Sequence, residues 1–157
     1  TSGLTILACL RPQDTQSDSN QRIISLPGVL EWKMDSMEFL APTPDPANYV
    51  NHADLTVGSD PIVVIGTWSP GTYARVYRNG TLLGSATTPI ASLGSTGGTT
   101  EVLVLRGSCN SKISSNPEVN AHSTVFAIWR RALSTSELDL VGKAIGTVKG
   151  IPQETIS

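Results

Sequence analysis

YARVYRNGTLLG, residues 73–84, carries the clearest structural signal in this sequence. Asn79 and Gly80 stand between two short runs that contain apolar residues. An Asn-Gly pair is the strongest short-range signal for a β-hairpin, because both residues tolerate the positive φ that a type I′ turn requires. The stretch therefore predicts two antiparallel strands, and it contains no obvious reacting group.

Composition favours one domain that is rich in turns and strands. The chain has 157 residues, of which 39% are hydrophobic and 15% are charged. The charged fraction is well below the roughly 25% of typical domains. With a net charge of -2 and no basic run, the sequence excludes a nucleic-acid partner held by charge. No apolar stretch approaches the roughly 18 residues of a membrane span.

Apolar alternation predicts further strands on both sides of the hairpin. The stretch 41–51, with prolines at alternate positions, and the polar stretch 107–122 are predicted as loops. The strands are predicted at 4–11, 22–26, 29–34, 37–40, 52–57 (an edge strand), 61–68, 101–106 and 124–130.

A single helix is predicted near the C-terminus. Ser134 and Glu137 have the spacing of a capping box, and Gly142 and Gly146 are expected to limit the helix length. Its apolar stripe consists of Leu133, Leu138, Val141 and Ile145. Many short strands with one short helix predict an all-β sandwich.

Four segments, in this order, resemble the concanavalin-A-like jelly-roll superfamily, and laminin-G-like domains within it. They are SGLTILACLRP (2–12), the run 63–68 with the hairpin 72–84, LVLRG (103–107) and VFAIWRRALSTSEL (125–138). The resemblance implies a two-sheet antiparallel jelly-roll sandwich with one short C-terminal helix. It assigns residues 1–146 to this domain and residues 147–157 to a C-terminal tail or an additional edge strand.

The same resemblance bears on association. Members of the superfamily usually have another strand before the segment that 2–12 matches, and this sequence lacks it. Either the tail or a neighbouring chain fills that place, or one sheet edge stays open. An open edge can serve as an assembly device.

The strongest hint of an enzyme is Glu137-Leu138-Asp139. Laminarinase-type glucanases of this superfamily carry alternating acids on a strand, where two carboxylates flank the scissile bond. Here the third acid is missing, and the capping box places Glu137 and Asp139 on a helix, where residues two apart diverge. We therefore expect no catalytic residues.

The candidates for a metal site and for a disulfide are three aspartates and two cysteines. Asp14 and Asp18 alternate with amide side chains as calcium ligands do, but the remaining positions of an EF-hand-like loop hold serines. These two residues and Asp60 remain unassigned calcium candidates, and no other cofactor is predicted. Cys9 and Cys109 are expected to be free thiols, with a disulfide between them as the alternative.

Aromatic and basic residues provide the candidate ligand contacts. Tyr49, in the proline-rich loop, Trp32 and Arg75 are the predicted ligand-binding residues. Trp68 and Trp129 match core positions of the superfamily and are expected to be buried.

The expected function is recognition or assembly without catalysis. The sequence favours a structural or decorating component of a virion, such as a phage capsid decoration protein, or of another extracellular surface. The expected partner is a protein, or a second copy, at an open sheet edge. The alternatives are an extracellular carbohydrate-binding module and, less favoured, a glycoside hydrolase of the laminarinase type. The expected location is a virion surface or the extracellular space.

Overall fold

The computed structural model describes residues 3–12, 22–26, 29–39, 49–52, 55, 60–87, 103–104 and 121–157. These residues form ten strands and one helix: β1 Leu4–Pro12, β2 Arg22–Leu26, β3 Leu30–Lys33, β4 Ser36–Phe39, β5 Tyr49–Asn51, β6 Ile62–Ser69, β7 Tyr73–Arg78, β8 Thr81–Ala86, β9 Leu103–Val104, β10 Ala121–Trp129 and α1 Thr135–Lys149.

The strands form two antiparallel sheets of five strands each. Sheet I has the strand order β10-β1-β6-β7-β8, and sheet II has the order β5-β4-β3-β2-β9. The predicted all-β sandwich with a single helix is confirmed. The Asn79-Gly80 hairpin joins β7 to β8 in sheet I.

The main core lies between the inner faces of the two sheets. Trp68 from sheet I and Trp32 from sheet II are both buried in it. The sheets approach closely at Gly66, where an added Cβ would lie 2.9 Å from the sulfur of Met37 and 3.3 Å from the Trp32 ring. A side chain at this position would push the two layers apart, so glycine permits the packing.

A second core covers the outer face of sheet I. Here α1 and the C-terminal segment, defined as residues 151–157, pack on alternate residues of β1, β6 and β7. Leu7 and Cys9 belong to this second core, and Cys9 is a free, buried thiol. The complete set is Leu7, Cys9, Val63, Ile65, Tyr77, Leu133, Leu138, Ile151 and Ile156.

The helix begins as predicted but is longer. Ser134 and Glu137 form the capping box, and Gly150, with φ 66°, ends the helix in the left-handed conformation. Gly142 and Gly146 do not shorten it, because both are buried on the packed face. A Cβ at Gly146 would overlap the side chain of Gln153. These glycines let the C-terminal segment lie close against the helix.

Among the described residues, β5 and β10 depart furthest from the predicted strands. β5 occupies Tyr49–Asn51, inside the predicted loop, because Val50 is buried in the main core and pairs with Met37. His52 follows β5 and is not in a strand. β10 begins at Ala121, three residues earlier than predicted, because β1 continues to pair with it as far as Pro12.

Trp129 is placed differently from Trp68. Trp68 is buried between the sheets as predicted, whereas Trp129 is only partly buried and packs on the second core beside α1. The reason is the register of β10, which pairs Trp129 with Thr5, a residue on the outer face of β1.

The two sides of the sandwich are unlike. On one side β8 lies against β5, so closely that a Cβ at Gly84 would overlap the carbonyl of Asn51. On the other side β10 is the last strand of sheet I among the described residues. The C-terminal segment contains no strand and does not extend that edge.

Candidate functional site

The Asn79-Gly80 turn connects the hairpin to the rest of the molecule. Both residues have positive φ, 50° and 86°, as predicted. The backbone N–H of Asn79 donates to the carbonyl of Val63 at 2.8 Å, and the N–H of Val63 donates to Asn79 Oδ1 at 2.8 Å. The Asn79 carbonyl accepts from the N–H of Glu154 at 2.7 Å. The turn therefore fixes the position of the C-terminal segment.

The helix holds the same segment from the other side. Asp139 Oδ1 accepts from the backbone N–H of Ile156 at 3.0 Å. Lys143 Nζ donates to Thr155 Oγ1 at 2.9 Å and to Asp139 Oδ2 at 2.9 Å. Lys143 and, second, the Ile156 amide lower the pKa of Asp139 by stabilising its charged form. This carboxylate is thus committed to anchoring the segment.

The hairpin and the C-terminal segment enclose an open groove, called here the hairpin groove. Its volume is about 530 Å³. Leu82, which is 49% exposed, gives it an apolar wall. The other lining residues supply hydroxyls, one carboxylate and backbone. The complete lining is Tyr77, Gly80, Thr81, Leu82, Glu154, Thr155 and Ser157.

Tyr77 has the most unusual environment in the hairpin groove. The residue is 2% exposed, and its ring packs in the second core. Its hydroxyl has no hydrogen-bond partner among the described residues. A buried hydroxyl left in this way costs about 1–3 kcal/mol of stability. A group of this kind calls for a partner outside the described residues, such as an ordered water or a ligand.

Arg75 lies two residues before Tyr77 on the same outer face of β7. Its guanidinium carbon is 4.6 Å from the centroid of the Tyr73 ring, a cation–π arrangement. Cross-strand neighbours are Thr67, which is buried, and Ser85, which is exposed. Within the described part of the chain, no carboxylate forms an ion pair with Arg75.

The structure does not bring the three predicted ligand residues together. Arg75 lies on the outer face of sheet I. Trp32 is 0% exposed between the sheets, and its indole N–H donates to His52 Nε2 at 3.2 Å, so the ring presents no face to a sugar. Tyr49 begins β5 at the edge of sheet II; its side chain lies outside what the structure describes.

The acids at the start of α1 have structural partners. Glu137 accepts two hydrogen bonds from Arg131, at 2.9 and 2.6 Å, and one from the backbone N–H of Ser134 at 2.8 Å. The Arg131 guanidinium and, second, the Ser134 amide lower the pKa of Glu137 to about 2. The carboxylate in turn raises the pKa of Arg131. Glu137 therefore caps the helix, as the capping-box spacing predicts.

The calcium candidates are not assembled into a site by the described residues. Asp60 is exposed, whereas Asp14 and Asp18 lie outside the described residues. Among the residues that the structure does describe, no group of three or more His, Cys, Asp or Glu could hold a metal ion. In the same part of the chain, no helix has the length and apolar character needed to cross a bilayer.

Sequence reasoning missed most of the hairpin groove. Tyr77 lies within the predicted hairpin, and its alternation with Val76 and Arg78 could have placed its side chain on one face of the sheet. Glu154, Thr155 and Ser157 carried no periodic signal. Glu154 is placed by its backbone bond to Asn79 and Thr155 by its bond to Lys143 of α1, and Ser157 follows Ile156, whose N–H donates to Asp139.

Several solved structures are similar to this fold. A heptameric SAP-like pentraxin from Limulus polyphemus aligns with 99% of this chain and 76% of its own, at 17% identity and a TM-score of 0.61. A candidate carbohydrate binding protein from Bacteroides ovatus aligns with 87% of this chain and 40% of its own, at 14% identity and a TM-score of 0.60.

A third similar structure is of botulinum neurotoxin type C, described as entering cells through interaction with two ganglioside molecules. It aligns with 92% of this chain and 36% of its own, at 13% identity and a TM-score of 0.61. The chain thus spans about two fifths of the length of each of these two solved chains. No protein-family model matches the sequence, and no curated protein matches it.

These similarities, together with the two antiparallel sheets, confirm the jelly-roll sandwich fold. At these identities they show the fold alone, so the resemblance to the concanavalin-A-like superfamily, and to laminin-G-like domains within it, remains a prediction.

Proposed function

We propose that this chain is a non-catalytic recognition module that binds a glycan in the hairpin groove. The observation that carries the proposal is the hydroxyl of Tyr77, a residue that lines the groove: this hydroxyl is buried and has no partner among the described residues. A sugar hydroxyl is both donor and acceptor and can satisfy it. Binding then recovers the free energy that the unpaired hydroxyl costs the free protein.

The rest of the hairpin groove fits a sugar better than an apolar ligand. Thr81, Thr155 and Ser157 offer hydroxyls, and Glu154 offers a carboxylate acceptor. Leu82 offers an apolar surface to the C–H face of a pyranose ring. A ligand site that combines one apolar wall with a few placed polar groups is the usual arrangement for small-molecule recognition.

The described geometry gives no support to glycoside hydrolysis. That reaction needs two carboxyl groups on either side of the scissile bond. The hairpin groove is lined by one carboxylate, Glu154. Glu137 and Asp139, the acids that first suggested an enzyme, are bonded to Arg131 and to Lys143. The similar solved structures described as carbohydrate binding or ganglioside dependent also favour recognition.

A glycan array probed with the full chain, with calcium and with a chelator, tests the proposal. We expect binding to a restricted set of oligosaccharides and loss of that binding in Tyr77→Phe and Thr81→Val. Thr135→Val removes an exposed hydroxyl at the start of α1 and is the matched control, expected to bind as the parent does. Tyr49→Ala tests the site predicted from the sequence. Binding that survives Tyr77→Phe but not Tyr49→Ala would move the site to β5.

A second proposed function is assembly through β10, in keeping with a component of a virion or another extracellular surface. In sheet I, as far as the structure describes it, β10 has a neighbour on one side only. Ile128 on this strand is 40% exposed. An apolar groove of about 180 Å³ lies beside the strand, lined by Leu7, Val125, Ala127, Trp129, Val141, Ala144 and Ile145. A strand from a second copy would complete the edge.

Light scattering during size-exclusion chromatography tests this assembly. We expect a concentration-dependent dimer or larger species that Ile128→Lys returns to a monomer, since a charge on an edge strand opposes pairing. Lys149→Gln, on the last turn of α1, is the control variant and should associate as the parent does. A monomer at all concentrations would leave recognition as the better supported function.

A further inference from the structure

We infer that the glycan carries an anionic group, a carboxylate or a sulfate, and that Arg75 binds it. The inference rests on the proposed function and names the class of glycan. Its basis is the position of Arg75 beside the hairpin groove, on the same face of β7 as Tyr77. Two residues along a strand span about 7 Å, so one oligosaccharide can contact both side chains.

Arg75 has no carboxylate as an ion-pair partner among the described residues. Arg22 forms a buried ion pair with Glu31 at 2.9 Å, and Arg131 is paired with Glu137 at 2.6 Å. Arg75 instead rests on an aromatic ring, and the described residues provide no carboxylate for it. An arginine that is partly buried without an acid is a natural site for an external anion.

The Tyr73 ring prepares Arg75 for this role. A guanidinium that is held over a ring by its flat face keeps its N–H edge free to donate two parallel hydrogen bonds. Carboxylate and sulfate oxygens match that fork. Because the ring limits the rotation of a long side chain, less conformational entropy is lost when the anion binds. Tyr73 is therefore a positioning residue, and Arg75 is the residue that contacts the anion.

The charge is tested on an array in which each acidic oligosaccharide is printed beside its carboxyl-reduced or desulfated form. The strongest acidic probe and its neutral counterpart are then titrated calorimetrically. We expect the neutral form to bind about 10–100-fold more weakly, the range of a hydrogen bond to a charged group. Arg75→Gln should remove this preference and the salt dependence of binding. Lys149→Gln, which changes net charge equally, should retain both.

The positioning role is tested by a pair of variants at residue 73. Tyr73→Phe keeps the ring and should bind the acidic probe as the parent does. Tyr73→Leu removes the ring and should weaken the acidic probe several-fold while leaving the neutral probe unchanged. Thermal unfolding of each variant verifies that the hairpin is intact.

Each failure has a distinct reading. Equal binding of acidic and neutral probes, with loss in Tyr77→Phe, would overturn the role of Arg75 and leave the hairpin groove as a neutral glycan site. A preference for acidic probes that survives Arg75→Gln would likewise overturn it. Absence of binding to every probe would overturn the proposed function itself.

Discussion

The start of helix α1 and the hairpin groove both place polar side chains on the outer side of sheet I, but they use them differently. At the helix start, the carboxylate of Glu137 has Arg131 and the Ser134 amide as partners. In the hairpin groove, the Tyr77 hydroxyl has no partner among the described residues. Within the same residues, Arg75 nearby forms no ion pair with an acid.

The difference distinguishes polar groups that stabilise the fold from polar groups that are available to bind a ligand. A polar group whose partners are supplied by the fold stabilises the fold, and its pKa is shifted accordingly. A buried polar group without a partner lowers stability, and folding alone gives no reason to retain it. By this criterion the acidic pair of α1 is structural, although its sequence resembled part of an enzyme motif.

The largest effect should come from Gly80→Ala, which changes the turn that packs against the C-terminal segment in the hairpin groove. Gly80 has φ 86°, and a Cβ there would overlap the backbone of Glu154. We expect the left-handed strain and the overlap to destabilise the fold by about 2–4 kcal/mol. Because the C-terminal segment must move away, glycan binding should also be lost. Urea unfolding and the array measure the two effects.

Gly150→Ala is the matched control. This glycine has a similar φ of 66°, but a Cβ there has nothing within 4 Å. It should cost only about 1 kcal/mol, from backbone strain alone, and leave binding unchanged. Equal losses in the two variants would show that the contact with Glu154 does not matter.

An intermediate effect is expected from Ser134→Ala, at the start of the helix. The serine hydroxyl accepts from the Glu137 N–H at 3.4 Å and donates to its carboxylate at 2.9 Å. Loss of such a cap costs about 1 kcal/mol. The melting temperature should fall while the glycan affinity stays the same. A fall in glycan affinity would mean that the Ser134–Glu137 cap has a role beyond stabilising the helix.

Tyr77→Phe should show the reverse pattern. Removing an unpaired buried hydroxyl relieves its desolvation cost, so stability should be unchanged or rise by about 1 kcal/mol. Glycan affinity should fall, because the hydroxyl of the sugar loses its partner. Denaturant unfolding and calorimetric titration of the same preparation give both numbers. A clear loss of stability would indicate a partner within the fold and would remove the main support for the site.

The sequence predicts the parts of this molecule that depend on local signals. Asn79-Gly80 predicts the turn because few residue pairs tolerate two positive φ values, and Ser134 with Glu137 predicts the cap because the motif is only three residues apart. Contacts between distant segments are harder. The glycines of α1 looked like helix breakers, but they are the positions against which Gln153 packs.

The candidate site was only partly accessible to the same reasoning. Arg75 could be named, since alternation placed it on a sheet face. Trp32 could not be assigned correctly, because alternation does not say which face of a strand meets the second sheet. The groove itself depends on Glu154 reaching Asn79, two residues 75 positions apart with no shared pattern.

The smallest effect concerns pH and tests the structural role of Glu137. The pKa of Glu137 is lowered from its ordinary value of 4.5 to about 2 by Arg131 and then by the Ser134 amide. A lowered folded-state pKa means that the carboxylate stabilises the fold fully above pH 4.5, and that this contribution is lost as the pH falls towards 2. Arg131 and Glu137 are exposed, so solvent and salt weaken the pair. The melting temperature of Glu137→Gln should therefore lie slightly below that of the parent at neutral pH, with the gap closing below pH 4.5 and narrowing in high salt. Since Gln at position 137 leaves Asp139 and the hairpin groove intact, glycan affinity should show no such gap. A gap that persists at pH 2 would mean that Glu137 acts by packing rather than by charge.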